Sequence, residues 1–298
     1  MKNLFYKLIY NSKINFFLRS ITYPLLKEKT KLQLPPSGTI TVKTASGSIK
    51  IATNQTSHVT KLLYWNGYEK FEYSLIFEKL ISEVSVFFDI GANFGYYSIL
   101  ASKANSRIKT YAFEPAIGPK YFLKKNIELN NFSKSITLIE KALSNQNGRI
   151  NFFEVQNKKY DNLLYNLSGE HNAGTKTKNR DFIKNSVESI TLNDFIISKQ
   201  ITNIDLIKID TEGTEIEILK SGKAFIEKFE PIIICETLYN ETEIKLDAFF
   251  KNLNYNFYNH TPKGLKKTNT IIRKNDNGIR NCFFVPNSKI NLILEFVV

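Results

Sequence analysis

Residues 84–115 read VSVFFDIGANFGYYSILASKANSRIKTYAFEP, and this stretch decides the fold. Val84, Val86, Phe87, Phe88 and Ile90 form an apolar run long enough for one buried strand. Asp89-Ile90-Gly91-Ala92-Asn93-Phe94-Gly95 interrupts it, and a helix-like run from Tyr96 to Ser102 follows. A second β-rich run, Ile108 to Phe113, ends on Glu114-Pro115. Strand, glycine turn, helix, strand and acid make half of a nucleotide-binding α/β unit. Gly91 and Gly95 allow a tight turn and are expected to leave no Cβ against a ligand. The helix start behind them presents backbone N–H groups. Glu114, at the tip of the next strand, can accept both hydroxyls of a ribose.

The glycine spacing then selects among cofactors. A dinucleotide fingerprint needs G-x-G-x-x-G to seat a pyrophosphate on the helix end. Here Asn93, Phe94 and Tyr96 surround the two glycines and leave no room for a diphosphate. Asp89, just before the turn, is an acid beside a ligand that should carry positive charge. S-adenosyl-L-methionine, phosphate-free and bearing an ammonium and a sulfonium, satisfies both conditions. D-I-G-A-N-x-G followed by F-E-P resembles the cofactor motifs of class I methyltransferases, and the fuller wording resembles their FkbM-type family. The resemblance covers about residues 55 to 240. It implies a Rossmann-like fold: a seven-stranded, mostly parallel sheet with helices on both faces, preceded by a hairpin and helical extension. Gly91, Ala92, Asn93, Gly95, Asp89 and Glu114 become its cofactor-binding residues.

Composition narrows the class. Of 298 residues, 42% are hydrophobic and 13% aromatic, enough for a packed core, which excludes global disorder. Cys235 and Cys282 lie in apolar runs and fit no zinc or disulfide spacing, so they read as buried free thiols in a reducing cytoplasm. The net charge is +13. Residues 1–31 carry seven Lys/Arg against Glu28 alone, and residues 261–280 carry six against Asp276. Such patches suit a membrane surface, a nucleic acid or an acidic glycan, or simply reflect lysine-rich composition. No apolar run reaches the roughly 18 residues of a membrane span, and no signal peptide is read.

The chain divides into a basic amphipathic extension (1–36), a hairpin and helical lead-in (37–83) and the main domain (84–298), which holds a polar insert at 156–186. Residues 1–31 read either as an amphipathic helix on an anionic membrane face or as a helix docked on the domain. TITVKTASGSIKIAT, residues 39–53, alternates about Ala45-Ser46-Gly47 and predicts a hairpin. Further strands are expected near 135–140, 148–155, 204–209 and 231–235. Tyr255–Tyr258 and Asn281–Val285 are expected as an antiparallel edge pair. The β/α alternation itself predicts a mostly parallel sheet covered on both faces.

Trp65-Asn66-Gly67-Tyr68-Glu69 contains an x-G-Y-E segment that recurs in the FkbM-type family, which implies a place for Glu69 near the methionine end of the cofactor. A helix-start acid is the plain alternative. Ala142-Leu143-Ser144 is similar to the family's adenine-edge loop. In parallel sheets ligands bind beyond the carboxyl ends of strands. Asp210 and Glu212, in IKIDTEG, and Glu236 therefore become the catalytic candidates at the acceptor side, with helix capping as the alternative. His171, in the insert, is the candidate substrate contact. Two acids without a third ligand do not make a metal site, so no metal is expected. The resulting expectation is a methyltransferase acting on a hydroxyl of a sugar, glycan or small molecule, in bacterial surface polysaccharide biosynthesis. It would sit in the cytoplasm or at the inner face of the membrane. The alternatives are an RNA methyltransferase using the basic patches, against which the absence of an N-P-P-Y tetrapeptide speaks, and a non-catalytic binding subunit.

Overall fold

The computed structural model describes residues 2–27, 30–160, 163–168 and 182–298. Two helices open the chain, α1 (Lys2–Ile9) and α2 (Ser12–Leu26), followed by the hairpin β1 (Gly38–Thr44) and β2 (Gly47–Thr53). Then come α3 (His58–Asn66), α4 (Ser74–Leu80), β3 (Val86–Ile90), α5 (Tyr96–Ala104), β4 (Lys109–Phe113), α6 (Ile117–Leu129) and β5 (Ile136–Ile139). The middle holds β6 (Ala142–Ser144), β7 (Gly148–Val155), β8 (Phe182–Thr191), α7 (Leu192–Ser198), β9 (Leu206–Ile209), α8 (Glu215–Ser221) and α9 (Lys223–Phe229). The chain finishes with β10 (Ile232–Glu236), α10 (Glu243–Asn252), β11 (Tyr255–Thr261), β12 (Gly264–Thr268) and β13 (Asn281–Pro286).

The main sheet has the order β12-β11-β13-β10-β9-β3-β4-β5. Strands β3, β4, β5, β9 and β10 run parallel, while β13 pairs antiparallel with both β10 and β11. The sheet is thus the mostly parallel one expected, but it has eight strands rather than seven. The extra strand, β12, pairs with β11 around the Pro262-Lys263 turn. Nothing apolar announced it: four of its five residues are Gly, Lys, Lys and Thr, and only Leu265 is buried. A smaller sheet, β6-β8-β7, sits beside the main one. Strand β8 begins inside the segment read as an insert. Asp161, Asn162, Arg180 and the candidate His171 lie outside the described residues.

The central strands are buried on both faces, as continuous apolar runs require. Phe87, Ala112, Leu206 and Ile232 face the cluster that includes residues of α4, α5 and the hairpin. Phe88, Phe113, Ile207 and Ile233 face the cluster containing residues of α7, α8 and α10. The hairpin is tied to the main body by polar clamps. Buried Asn126 of α6 accepts from Ala52 N at 2.6 Å and donates to Phe94 O at 2.9 Å. Glu78 of α4 accepts the turn's Ser46 N at 2.7 Å. Both cysteines are free and buried, as expected, and face each other across β10 and β13.

Candidate active site

The parallel register builds the site. Ile90 pairs with both Phe113 and Ile209, and Ile209 pairs with Cys235. The next residue on each strand is therefore level with the others: Glu114, Gly91, Asp210 and Glu236 stand in a row along the carboxyl edge. Adjacent strands lie about 4.8 Å apart, so one small molecule can span several of these positions.

The turn after β3 is tight for reasons internal to the protein. Gly91 has φ +74°, and a Cβ there would sit 1.9 Å from the Asp210 carbonyl oxygen. Gly95 has φ +88°, and its Cβ would strike the Leu123 side chain at 2.2 Å. These glycines let β9 and α6 pack against the turn, and Gly91 also borders both cavities beside it. The backbone N–H groups near the helix start are also not left open. Glu114 Oε2 accepts Asn93 N at 2.8 Å, Asn93 Oδ1 accepts Phe94 N at 2.8 Å, and Asp89 Oδ2 accepts Ser98 N at 3.1 Å. Side-chain oxygens, those of Glu114 and Asp89 being carboxylates, already take these donors, which disfavours an anion at the turn.

Two cavities meet at this turn, sharing Gly91 and Glu114. The larger, of about 690 Å³, is bordered by Phe71, Glu72, Tyr97, Lys208, Asp210 and Glu212 among others. The smaller, of about 200 Å³, has apolar walls from Phe113, Leu143, Ile150 and Phe152. The larger cavity counts the carboxylates Glu72, Glu114, Glu154, Asp210 and Glu212 against the single ammonium of Lys208 among its described walls. An elongated ligand with a flat apolar end and a cationic end matches this pair of spaces.

Lys208 is the charge that sequence reading left unassigned. It is the cross-strand partner of Asp89, which is why two charges survive in adjacent central strands. Its Nζ lies 3.7 Å from Asp89 Oδ1, 3.5 Å from Asp210 Oδ2 and 3.3 Å from Gly91 O. Burial by itself lowers the ammonium, but Asp210, Asp89 and Glu72 outweigh it and hold it above the usual lysine range. Burial raises Asp89 against the pull of Lys208 and Ser98. Asp89 lies behind the cavity wall, not on it, and acts through Lys208 and helix α5. Glu114 is pushed up to about 7 by burial, against its two backbone donors.

Glu69 was expected near the methionine end of the cofactor; the acid of this segment that reaches the larger cavity is Glu72. Glu69 is exposed and lines neither cavity, whereas Glu72, three residues on, does. Glu72 has φ +43° and accepts a hydrogen bond from Tyr97 Oη at 2.7 Å; burial raises its carboxyl. The sequence signal was present but out of step, since Glu72 follows Glu69 by about one helical turn. Ala142 lines the smaller, apolar cavity, and His58 lines the larger one.

The acceptor-side acids converge. Carboxylate oxygens of Asp210, Glu212 and Glu236 all lie within 4.8 Å of one another. Glu236 is pushed up to about 9 by burial and by its neighbours Asp210, Glu212 and Glu215, because like charges this close resist joint ionisation. Glu215 is spoken for, accepting Thr211 N and Gly213 N and shaping the turn between β9 and α8. The converging trio stores a proton; its geometry also suits a divalent cation, a third ligand that reading the two acids of IKIDTEG by themselves did not supply.

The site fits S-adenosylmethionine. The turn gives N–H donors to the carboxylates of Glu114 and Asp89, the cleft is net acidic, and an apolar slot opens beside Glu114. The Methyltransferase FkbM domain description matches residues 89–257, more than half of the chain. Methyltransferase sdnD of Sordaria araneosa is similar: 28% identical over 156 residues, which cover 44% of this chain and 58% of that protein. The match thus spans little more than half the length of that curated relative. An FkbM methyltransferase structure from Methylobacillus flagellatus aligns with a TM-score of 0.43 and 14% identity, over 67% of this chain and 43% of that one. The M. capricolum TrmK structure with S-adenosyl-homocysteine aligns with a TM-score of 0.40 and 17% identity, over 72% and 67%. The chain belongs to the FkbM methyltransferase family, whose class I, Rossmann-like fold uses S-adenosylmethionine as its cofactor.

Proposed function

We propose that the protein methylates a hydroxyl of a sugar, glycan or small-molecule acceptor, in the assembly of a bacterial surface polysaccharide or lipid-linked glycan. The observation that carries this reading is the carboxylate trio of Asp210, Glu212 and Glu236 on the same cleft edge as Gly91 and Glu114. When bound, the cofactor supplies an activated methyl group on a sulfonium. Glu114 would hold the ribose hydroxyls, and Gly91, Ala92 and Asn93 would form the floor beside it. Glu72 faces the cationic end, and Lys208 fixes the carboxylates of Asp89 and Asp210. A hydroxyl entering beside Asp210 meets three half-buried acids, of which Glu236 has its proton affinity raised by burial and by its charged neighbours. In its ionised form Glu236 would accept the hydroxyl proton more readily than a solvated carboxylate, as the oxygen gains its bond to the methyl carbon and that carbon's bond to sulfur breaks. Such proton transfer contributes roughly 100- to 10,000-fold. For a lipid-linked acceptor, residues 1–31 supply the basic, apolar segment that would meet the inner face of a membrane.

The test is transfer of labelled methyl from S-adenosylmethionine onto extracts of the source cell. Label should enter a carbohydrate or small-molecule fraction as an alkali-stable methyl ether. It should fall at least 100-fold with Asp210→Asn or Glu236→Gln while cofactor affinity stays within a few fold. Label in RNA, or full activity in both variants, overturns the reading.

A further inference from the structure

Helix α2 is built inside out. Its buried positions are Asn15 and Arg19, while Phe16, Phe17, Ile21 and Leu25 are 56–72% exposed. The polar pair is bonded within the protein, although Arg19 Nη2 is buried without a hydrogen bond. Asn15 donates to Ile9 O and Pro35 O, accepts Ser37 N, and takes Arg19 Nε at 2.8 Å. The Arg19 guanidinium packs over the Tyr64 ring at 4.2 Å. Helix α2 thus docks through hydrogen bonds and the Tyr23 ring stacked on Trp65, and leaves Phe16, Phe17, Ile21 and Leu25 outward. Phe17, Ile21 and Leu25 recur every four residues, so they share one face, and Lys13 heads the same row. Helix α1 extends the patch with exposed Leu4, Phe5 and Leu8, and Leu32 continues it beyond α2. Lys7, Lys13, Lys27 and Lys31 are exposed around these side chains, with no Asp or Glu among the described residues before Gln33.

We infer that α1 and α2 form a monotopic docking surface for an anionic lipid bilayer. An apolar helix face ringed by lysines, with no acid among its described residues, complements the boundary between acyl chains and anionic headgroups. No helix among the described residues is long and apolar enough to cross a membrane, so this face lies on the bilayer. The surface is coupled to the cleft. Tyr6 of α1 and Tyr10, just beyond its end, pack edge-on against Tyr160, and the segment just before Tyr160 includes Gln156 and Asn157 of the cleft wall. Docking would therefore hold the rim of the cleft near the headgroup layer. This inference names the partner side of the glycan reading above and rests on it only for the choice of acceptor.

The experiment is sedimentation of the full chain with vesicles of phosphatidylcholine alone or mixed with phosphatidylglycerol. Binding is expected to the mixed vesicles, to weaken steeply with salt, and to drop at least tenfold in Phe17→Glu/Ile21→Glu and in Lys7→Glu/Lys13→Glu. All variants should keep wild-type affinity for S-adenosylmethionine and wild-type melting temperature, since the substituted side chains are exposed. Absence of binding to mixed vesicles, or undiminished binding by both variants, overturns the inference. So does a dimer that dissociates in Phe17→Glu/Ile21→Glu, which would assign the face to a second copy. Methyl transfer to a soluble acceptor is read separately and fails only with the site assignment.

Discussion

Glu236 shows how one side chain records its neighbours. Its carboxyl is held at about 9, chiefly by burial and then by the charges of Asp210, Glu212 and Glu215. In the unfolded chain it releases its proton near the ordinary glutamate value of about 4.3. Between those two values the folded state binds the extra proton, so stability falls as pH rises through that window. The melting temperature of the ligand-free protein should decline from about pH 5 towards about pH 9. Glu236→Gln, which cannot titrate, should flatten that decline; calorimetric melting curves across the range check it, and an unchanged slope would refute the assignment. This residue was legible in the sequence as an acid at a strand end. Lys208 and Glu72 were not. A lysine inside an apolar strand explains itself only when register sets it opposite Asp89, and Glu72 joins the site because a short 3-10 segment turns the chain after Tyr68.

At the scale of elements, the legible parts were those whose burial pattern is uniform. Strands β3, β9 and β10 are buried along nearly their whole length and stand out as apolar runs. The hairpin β1–β2 was legible from strict alternation. The small sheet was only partly so: β7 was expected, but β6 has three residues, and β8 is largely solvated, with one fully buried position in ten. Partly solvated strands carry no strong period. The hairpin's role was also hidden, because it depends on Asn126 reaching from α6 to both Ala52 and the glycine turn. Asn126→Ala leaves buried backbone groups unpaired on both sides. It should cost about 2–4 kcal/mol of stability, measured by urea unfolding, and weaken cofactor binding by loosening Phe94. A loss under about 0.5 kcal/mol would mean the hairpin is held by its apolar face alone.

Across the whole molecule, two apolar clusters sandwich the main sheet, and the polar work is confined to its carboxyl edge. The eight-stranded order puts β3 and β9 side by side, which is what carries the motifs of residues 89–95 and 208–213 to one place from opposite ends of the domain. Opposite charges, Lys208 against Asp89 and Asp210, then fix that edge from below. The central claim is that the acidic turn at Gly91, closed by Glu114 and Glu72, is a pocket for a cationic, phosphate-free nucleoside. Calorimetric titration of S-adenosylmethionine into the wild type, Glu72→Gln, Glu114→Gln and Glu69→Gln tests it most directly. One molecule should bind per chain, roughly tenfold or more weakly in the Glu72 and Glu114 variants, a loss of ~1–3 kcal/mol for a disrupted buried polar contact, and unchanged in Glu69→Gln. Equal affinity in all four proteins, or no binding to the wild type, would contradict it.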